Sequence, residues 1–173
     1  SRACPTHARL APVTRPEYPI TPAVRALRAA AVEVRPHEYA YVEHGGTAAS
    51  AKALGLDEHC VIKTLILEDD AKRPLVVLMH GDREVSTQRL ARLLGCRDVR
   101  PCTPEQATRH TGYLVGGTSP FGTRKKLPIY AERSVFDLAR LYLNGGKRGF
   151  LVELTPEELQ RALSPILVDV ATT

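Results

Sequence analysis

Apolar positions along the chain follow two periods. Helical spacing marks residues 47–54 and 86–94, and each run is stopped by a glycine, Gly55 and Gly95, the residue that most readily takes the left-handed turn ending a helix. Thr21-Pro22, Thr103-Pro104 and Thr155-Pro156 each offer a threonine to cap free backbone N–H groups. The proline that follows loses nothing at a first helical position, so three more helices start there. Gln106 and Glu158 complete capping boxes in the second and third. Runs rich in Val, Ile, Leu and Tyr predict strands over residues 34–42, 61–67, 75–79, 98–100, 127–131, 138–143, 150–154 and 166–170. Residues 68–74 and 145–149 read as hairpin connections. The expectation is an α+β fold, a single domain with a mixed, largely antiparallel sheet and interspersed helices.

A length of 173 residues suits one core, expected over residues 21–173. Residues 1–20 hold four of the 13 prolines (Pro5, Pro12, Pro16, Pro19) without either period, and read as a proline-rich arm before the domain. With 43% hydrophobic and 25% charged residues and no apolar run long enough for a bilayer, the chain reads as soluble, without a membrane role. The cysteines Cys4, Cys60, Cys96 and Cys102 form no C-x-x-C pair, and the six histidines show no metal-ligand spacing. No metal and no cofactor are expected, and the cysteines read as reduced thiols of a cytoplasmic protein. A net charge of +5 adds a bias toward polyanions such as nucleic acid.

Candidate chemistry gathers in the second half. Seven of 12 glycines fall between Gly112 and Gly149, and Gly116-Gly117-Thr118-Ser119 reads either as a glycine-rich surface loop or as backbone N–H groups offered to a carbonyl or oxyanion. Ser119 does not fit a nucleophile elbow, because Pro120 follows it, although its hydroxyl could bind substrate. Lys63 interrupts an apolar strand, so its ammonium is either an edge-strand guard against aggregation or a group aimed into a cleft. Arg124-Lys125-Lys126 and Lys147-Arg148 flank the glycines and read as solvated surface or as a nucleic-acid contact. Tyr39 and Tyr41 alternate with His37, as core packing or as the wall of a polar pocket.

Four segments together resemble the YbaK-type aminoacyl-tRNA deacylases, related to the editing domain of bacterial prolyl-tRNA synthetases: residues 61–65, 111–122, 125–128 and 145–149. The resemblance runs from about Thr21 to the C-terminus. It implies a trans-editing hydrolase that deacylates mischarged aminoacyl-tRNA, with Cys-tRNA(Pro) first among substrates and the substrate's own thiol assisting by attack on the ester. It further implies Lys63, Gly116, Gly117 and Ser119 as the catalytic group, and Tyr39, Thr64, Thr118, Pro120 and Asn144 as substrate-binding positions. Arg124, Lys125, Lys126, Lys147 and Arg148 would hold the tRNA acceptor end, and recruitment of prolyl-tRNA synthetase is left open. Family members carry serine where this chain has Asn144 and aspartate where it has Leu151. Asn144 can still form hydrogen bonds, whereas Leu151 cannot replace a carboxylate, so any polar task there is absent or falls to Glu153. Two other readings remain: a non-catalytic tRNA- or synthetase-binding module of the same fold, and a thiol redox protein using Cys96 and Cys102.

Overall fold

Five helices and ten strands are formed within residues 17–172, the range described by the computed structural model. The proline-rich arm falls mainly on residues outside that range. The helices are α1 (Pro22–Ala29), α2 (Gly46–Leu54), α3 (Thr87–Leu94), α4 (Pro104–Thr111) and α5 (Pro156–Leu163). All three Thr-Pro starts act as expected: Thr21, Thr103 and Thr155 accept from the N–H three residues on, and the latter two are capping boxes with Gln106 and Glu158. Gly55 and Gly95 end α2 and α3 in the left-handed conformation.

The strands are β1 (Arg35–Glu38), β2 (Ile62–Asp69), β3 (Pro74–His80), β4 (Glu84–Val85), β5 (Val99–Pro101), β6 (Ile129–Glu132), β7 (Leu141–Lys147), β8 (Phe150–Leu154), β9 (Ile166–Val168) and β10 (Ala171–Thr172). A five-stranded sheet has the order β5-β2-β3-β6-β9, a three-stranded sheet the order β1-β8-β7, and β10 pairs with β4. The β3–β6 and β6–β9 pairs are parallel and the others antiparallel, so the mixed, largely antiparallel α+β domain is the fold observed.

β3 shows why this architecture has two cores. Its side chains alternate, Val76 and Leu78 entering one cluster with Leu27, Phe121, Leu143 and Leu159, and Leu75, Val77 and Met79 entering another with Leu90, Val99 and Val170. A strand covered on both faces reads as one unbroken apolar run, as residues 75–79 do. The same alternation on β2 sets Ile62 and Ile66 in the first cluster and Leu67 in the second. Neighbouring Lys63 and Thr64 therefore leave the strand on opposite faces.

Three strand expectations shift. The run over 34–42 is a strand only at Arg35–Glu38, after which the chain turns away to form a wall described below. The run over 138–143 begins later and extends further, to Lys147, while Arg133–Asp137 forms a 3-10 turn. Gly145-Gly146-Lys147 is thus strand rather than turn. It carries a bulge between Asn144 and Lys147, where Gly146 adopts φ +94°, a conformation glycine alone takes cheaply.

Candidate functional site

The first five residues of β2 extend beyond its pairing with β5, which covers only Leu67 to Asp69. This uncovered stretch floors a cleft of about 830 Å³. One wall is the segment after β1, with Tyr39, Tyr41 and Val42, leading into the start of α2. A second is the glycine loop, represented by Val115, Gly116 and Thr118, with Asn144 and Arg148 behind it. Glu84, Val85 and Thr87 form a third, and Cys102 and Ala107 lie at the far end.

Lys63 stands on this floor with its side chain 18% exposed. Its ammonium donates to the Arg83 carbonyl at 2.8 Å and to Glu84 Oε1 at 3.0 Å. An ammonium has three N–H donors, so one has no partner among the described residues and faces a ligand in the cleft. Glu84 is 75% exposed, and an ion pair that open to solvent contributes at most about 1 kcal/mol, which leaves Lys63 able to exchange partners. Thr64, on the other face, has its hydroxyl oxygen buried without a hydrogen-bond partner among the described residues. Such a group costs stability until something pairs with it. Tyr39 is half-buried, and burial pushes its hydroxyl above the ordinary tyrosine range, with a hydrogen bond to Ser50 opposing the shift.

The glycine loop divides the expected site residues. Gly116 and Thr118 border the cleft, whereas Gly117, Ser119 and Pro120 do not. Gly117 backs onto the β7–β8 hairpin so closely that a Cβ there would sit 2.8 Å from Arg148 N, and its own N–H is spent on the Leu114 carbonyl at 2.8 Å. Ser119 is fully buried and its Oγ accepts from Phe121 N at 3.3 Å. The expectation of four successive N–H donors is therefore corrected: the Gly117 donor is used to close the loop, and the serine hydroxyl shapes it from behind.

Asn144 fastens the loop to the hairpin. Its amide donates to Gly116 O at 3.1 Å and its carbonyl accepts from Gly146 N and Lys147 N, at 2.7 and 3.1 Å. Arg148 adds a second fastening, donating from Nε to Val115 O at 2.9 Å with its guanidinium 5.1 Å from the centroid of the Tyr41 ring. Leu151 is buried in a small cluster with Ala51 and Val61 and borders the cleft as an apolar wall. Glu153 does not stand in for a carboxylate there, being engaged by His37 at 2.9 Å and Arg140 at 3.3 Å.

The basic runs are split as well. Arg148 reaches the cleft and Lys147 is exposed beside it. Arg124, Lys125 and Lys126 are exposed but lie off the cleft, with Arg124 N and Lys125 N bonded to the last carbonyls of α4.

Among the described residues, one group offers metal-ligand chemistry: Glu68, Cys102 and His110, whose ligand atoms lie within 4.8 Å of one another. They come from β2, the turn after β5, and α4, and no sequence spacing announces them. Lys125 Nζ lies 3.1 Å from His110 Nδ1, and an ammonium only donates, so the ring hydrogen sits on Nε2, 3.0 Å from Glu68. The nitrogen facing the trio thus carries hydrogen rather than a lone pair. Burial and the neighbouring Glu68 charge push the Cys102 thiol up to about 11. The group is satisfied as a hydrogen-bonded network.

Sequence reasoning missed Glu84, the counter-ion of Lys63, because a two-residue strand has no period to read. It placed the start of α2 within one residue but did not connect it with the cleft, which the first turn of α2 borders with no side-chain cap at Gly45. The Gly45-Gly46 pair before a helix was the available signal.

The family model of the aminoacyl-tRNA editing domain matches residues 43–162. The chain belongs to this family. Among relatives of the editing domain, EbsC of Enterococcus faecalis, whose name proposes a Cys-tRNA(Pro)/Cys-tRNA(Cys) deacylase, is 29% identical over 80% of this chain and 85% of its own length. The proline–tRNA ligase of Nitratidesulfovibrio vulgaris is 33% identical over 69% of this chain, which spans only 20% of that ligase. Among solved structures of the editing-domain fold, a hypothetical protein matches with TM-score 0.80 and 25% identity, covering 88% of this chain and all of its own. A candidate trans-editing enzyme for prolyl-tRNA synthetase matches with TM-score 0.76 and 22% identity over 90% of this chain and all of its own, a likeness of fold. No helix among the described residues is long and apolar enough to cross a membrane.

Proposed function

We propose that the protein is a trans-editing hydrolase that deacylates mischarged aminoacyl-tRNA, with Cys-tRNA(Pro) as its first substrate. The observation that carries this reading is the meeting of Lys63 and the Gly116 loop at one cleft of about 830 Å³, in a chain of the editing-domain family. Lys63 directs its remaining N–H to the ester carbonyl and stabilises the oxygen as negative charge develops there. Gly116 and Thr118 line the opposite side, Thr64 borders the cleft with its hydroxyl buried behind the strand, and Tyr39 closes the pocket. Gly117, Ser119, Pro120 and Asn144 hold the loop in shape. Exposed Arg124, Lys126 and Lys147, with Arg148, attract the acceptor end, and prolyl-tRNA synthetase is the partner to test for delivery.

The attack comes from the substrate or from water. With a cysteinyl ester, the thiol sulfur bonds to the carbonyl carbon, the carbon–oxygen bond to the ribose breaks, and the ribose oxygen takes up the proton as a cyclic thioester departs for hydrolysis. Precise holding of reacting groups supplies much of such a rate, which suits a site built from a clamped loop. The need for a second sieve is physical: a synthetase pocket for proline gains only about 1–3 kcal/mol against a residue of similar size.

The test measures release of cysteine, alanine and proline from charged tRNA(Pro) by the wild type and by Lys63→Ala, both confirmed folded by circular dichroism. Loss of cysteine with the wild type alone supports the reading, and preferential release of alanine would replace the substrate. A second reading, a non-catalytic module that grips the acceptor end, is favoured by apolar Leu151 and by an Asn144 whose polar atoms are taken up by backbone. Tight tRNA binding without turnover would establish it.

A further inference from the structure

Seven large hydrophobic side chains are exposed among the described residues, and four of them, Tyr41, Val42, Leu114 and Val115, surround one edge of the cleft. Scattered exposed apolar residues need no explanation, but a concentration at the mouth of a site does. Leu114 is 63% and Val115 44% exposed. Both line a second depression of about 340 Å³, between the glycine loop and the start of α4, with Pro104, Glu105, Thr108 and Arg148. Val115 and Arg148 line this depression and the main cleft alike, so a ligand in one can continue into the other.

We infer that this depression is the seat of the terminal adenine of the substrate, an inference that rests on the deacylase reading. The ester of an aminoacyl-tRNA is carried on the ribose of the last nucleoside, so a base lies one sugar away from the reacting carbonyl. A flat base needs an apolar face, which Leu114 and Val115 provide. Glu105 at the rim offers an acceptor to the exocyclic amine of adenine. Arg148 uses Nε on Val115 O, which leaves its other N–H donors for the phosphate that follows. An apolar face, an acceptor and a cation in a recess this small fit one nucleotide better than a protein surface, which would need a far larger patch.

Adenosine 5′-monophosphate titrated into methyl-labelled wild-type protein is expected to shift the Leu114 and Val115 signals. Signals that stay put, or shift only elsewhere, overturn the proposal. Leu114→Ser, at an exposed position, is expected to raise KM for cysteinyl-tRNA(Pro) about tenfold with kcat unchanged, the range of one lost apolar side-chain contact. The same variant should hydrolyse cysteine methyl ester, which has no base, like the wild type. Unchanged KM on tRNA, or equal losses on both substrates, overturns the adenine seat while leaving the deacylase reading intact. If the wild type hydrolyses no charged tRNA, the deacylase reading fails, and the nucleotide titration alone decides the seat. Loss of prolyl-tRNA synthetase binding in Leu114→Ser with no nucleotide shift would make the patch a protein interface and overturn the inference.

Discussion

Asn144 and Gly116 are joined by a 3.1 Å hydrogen bond across the wall of the cleft, from the side-chain amide of a bulged strand to the carbonyl of a loop residue. The same side chain, through its other end, accepts two N–H groups of its own hairpin. One residue therefore fixes both the bulge and the loop, and the two tasks can be separated. Asn144→Asp keeps an acceptor for Gly146 N and Lys147 N but faces the Gly116 carbonyl with a second oxygen. Such a lost and repelled contact costs the folded loop about 1–3 kcal/mol, so Asn144→Asp should lower the melting temperature by several degrees and kcat for deacylation with it. Asn144→Ala should lower both further. Steady-state kinetics with a thermal melt of each variant check this, and an Asn144→Asp enzyme with full kcat would mean that the loop holds its shape without the bond.

Glu84 lies against Lys63 at 3.0 Å and is the natural suspect for a second catalytic group. Its side chain is 75% exposed, however, and the pair is screened by solvent. Glu84→Gln should therefore change stability by less than about 1 kcal/mol and activity by no more than about threefold. A loss comparable with that of Lys63→Ala would make Glu84 part of the chemistry rather than a resting partner of the ammonium.

The parts of this molecule legible in its sequence are those whose signal is local. Thr103 with Gln106 and Thr155 with Glu158 start helices because the capping residues are also the sequence pattern. Residues 75–79 read as a buried strand because both faces of β3 are covered. β7 was misjudged because Gly145-Gly146 looks like a turn, and only its pairing with β8 makes it a bulge. The site divides in the same way. Lys63 stood out as a charge in an apolar strand, whereas the burial of Ser119 depends on how the loop backs onto a hairpin distant in sequence. Glu68, Cys102 and His110 meet only through tertiary packing, so nothing in their spacing foretold it.

The redox reading of Cys96 and Cys102 makes an opposite demand to the one the structure meets. A reactive thiol needs a lowered pKa, but burial and Glu68 raise Cys102 to about 11. At pH 7 its thiolate fraction is then on the order of one in ten thousand. Alkylation of Cys102 by iodoacetamide in the folded protein should be far slower than that of a free thiol, and Cys96→Ser should retain deacylase activity. Rapid labelling of Cys102 at neutral pH, checked by mass spectrometry, would revive the redox reading.

Acid sensitivity should begin at a buried histidine. His80 is almost fully buried, its ring stacked on His59 with centroids 3.7 Å apart, Nδ1 at 2.8 Å from the His59 carbonyl and Nε2 at 2.8 Å from Ser134 Oγ. Burial, aided by the charge of His59 and opposed by the His59 carbonyl, Asp82 and Glu132, holds His80 below its ordinary value of 6.5. The folded state therefore prefers the neutral ring. Its contribution is fully present above about pH 6.5 and is lost as pH falls through the lower folded value. Asp82 is depressed because its hydrogen bond and attraction to His59 outweigh the effect of burial, and Glu158 because its bonds to Thr155 and Arg35 do so. Their contributions are present above the ordinary carboxylate range and lost below it. The melting temperature should thus fall in two stages on acidification, first below about 6.5 and again below about 4. His80→Gln, whose amide can donate to the His59 carbonyl and accept from Ser134, should remove the first stage and leave the second. A variant that melts with the same two-stage profile as the wild type would assign the upper stage to another group.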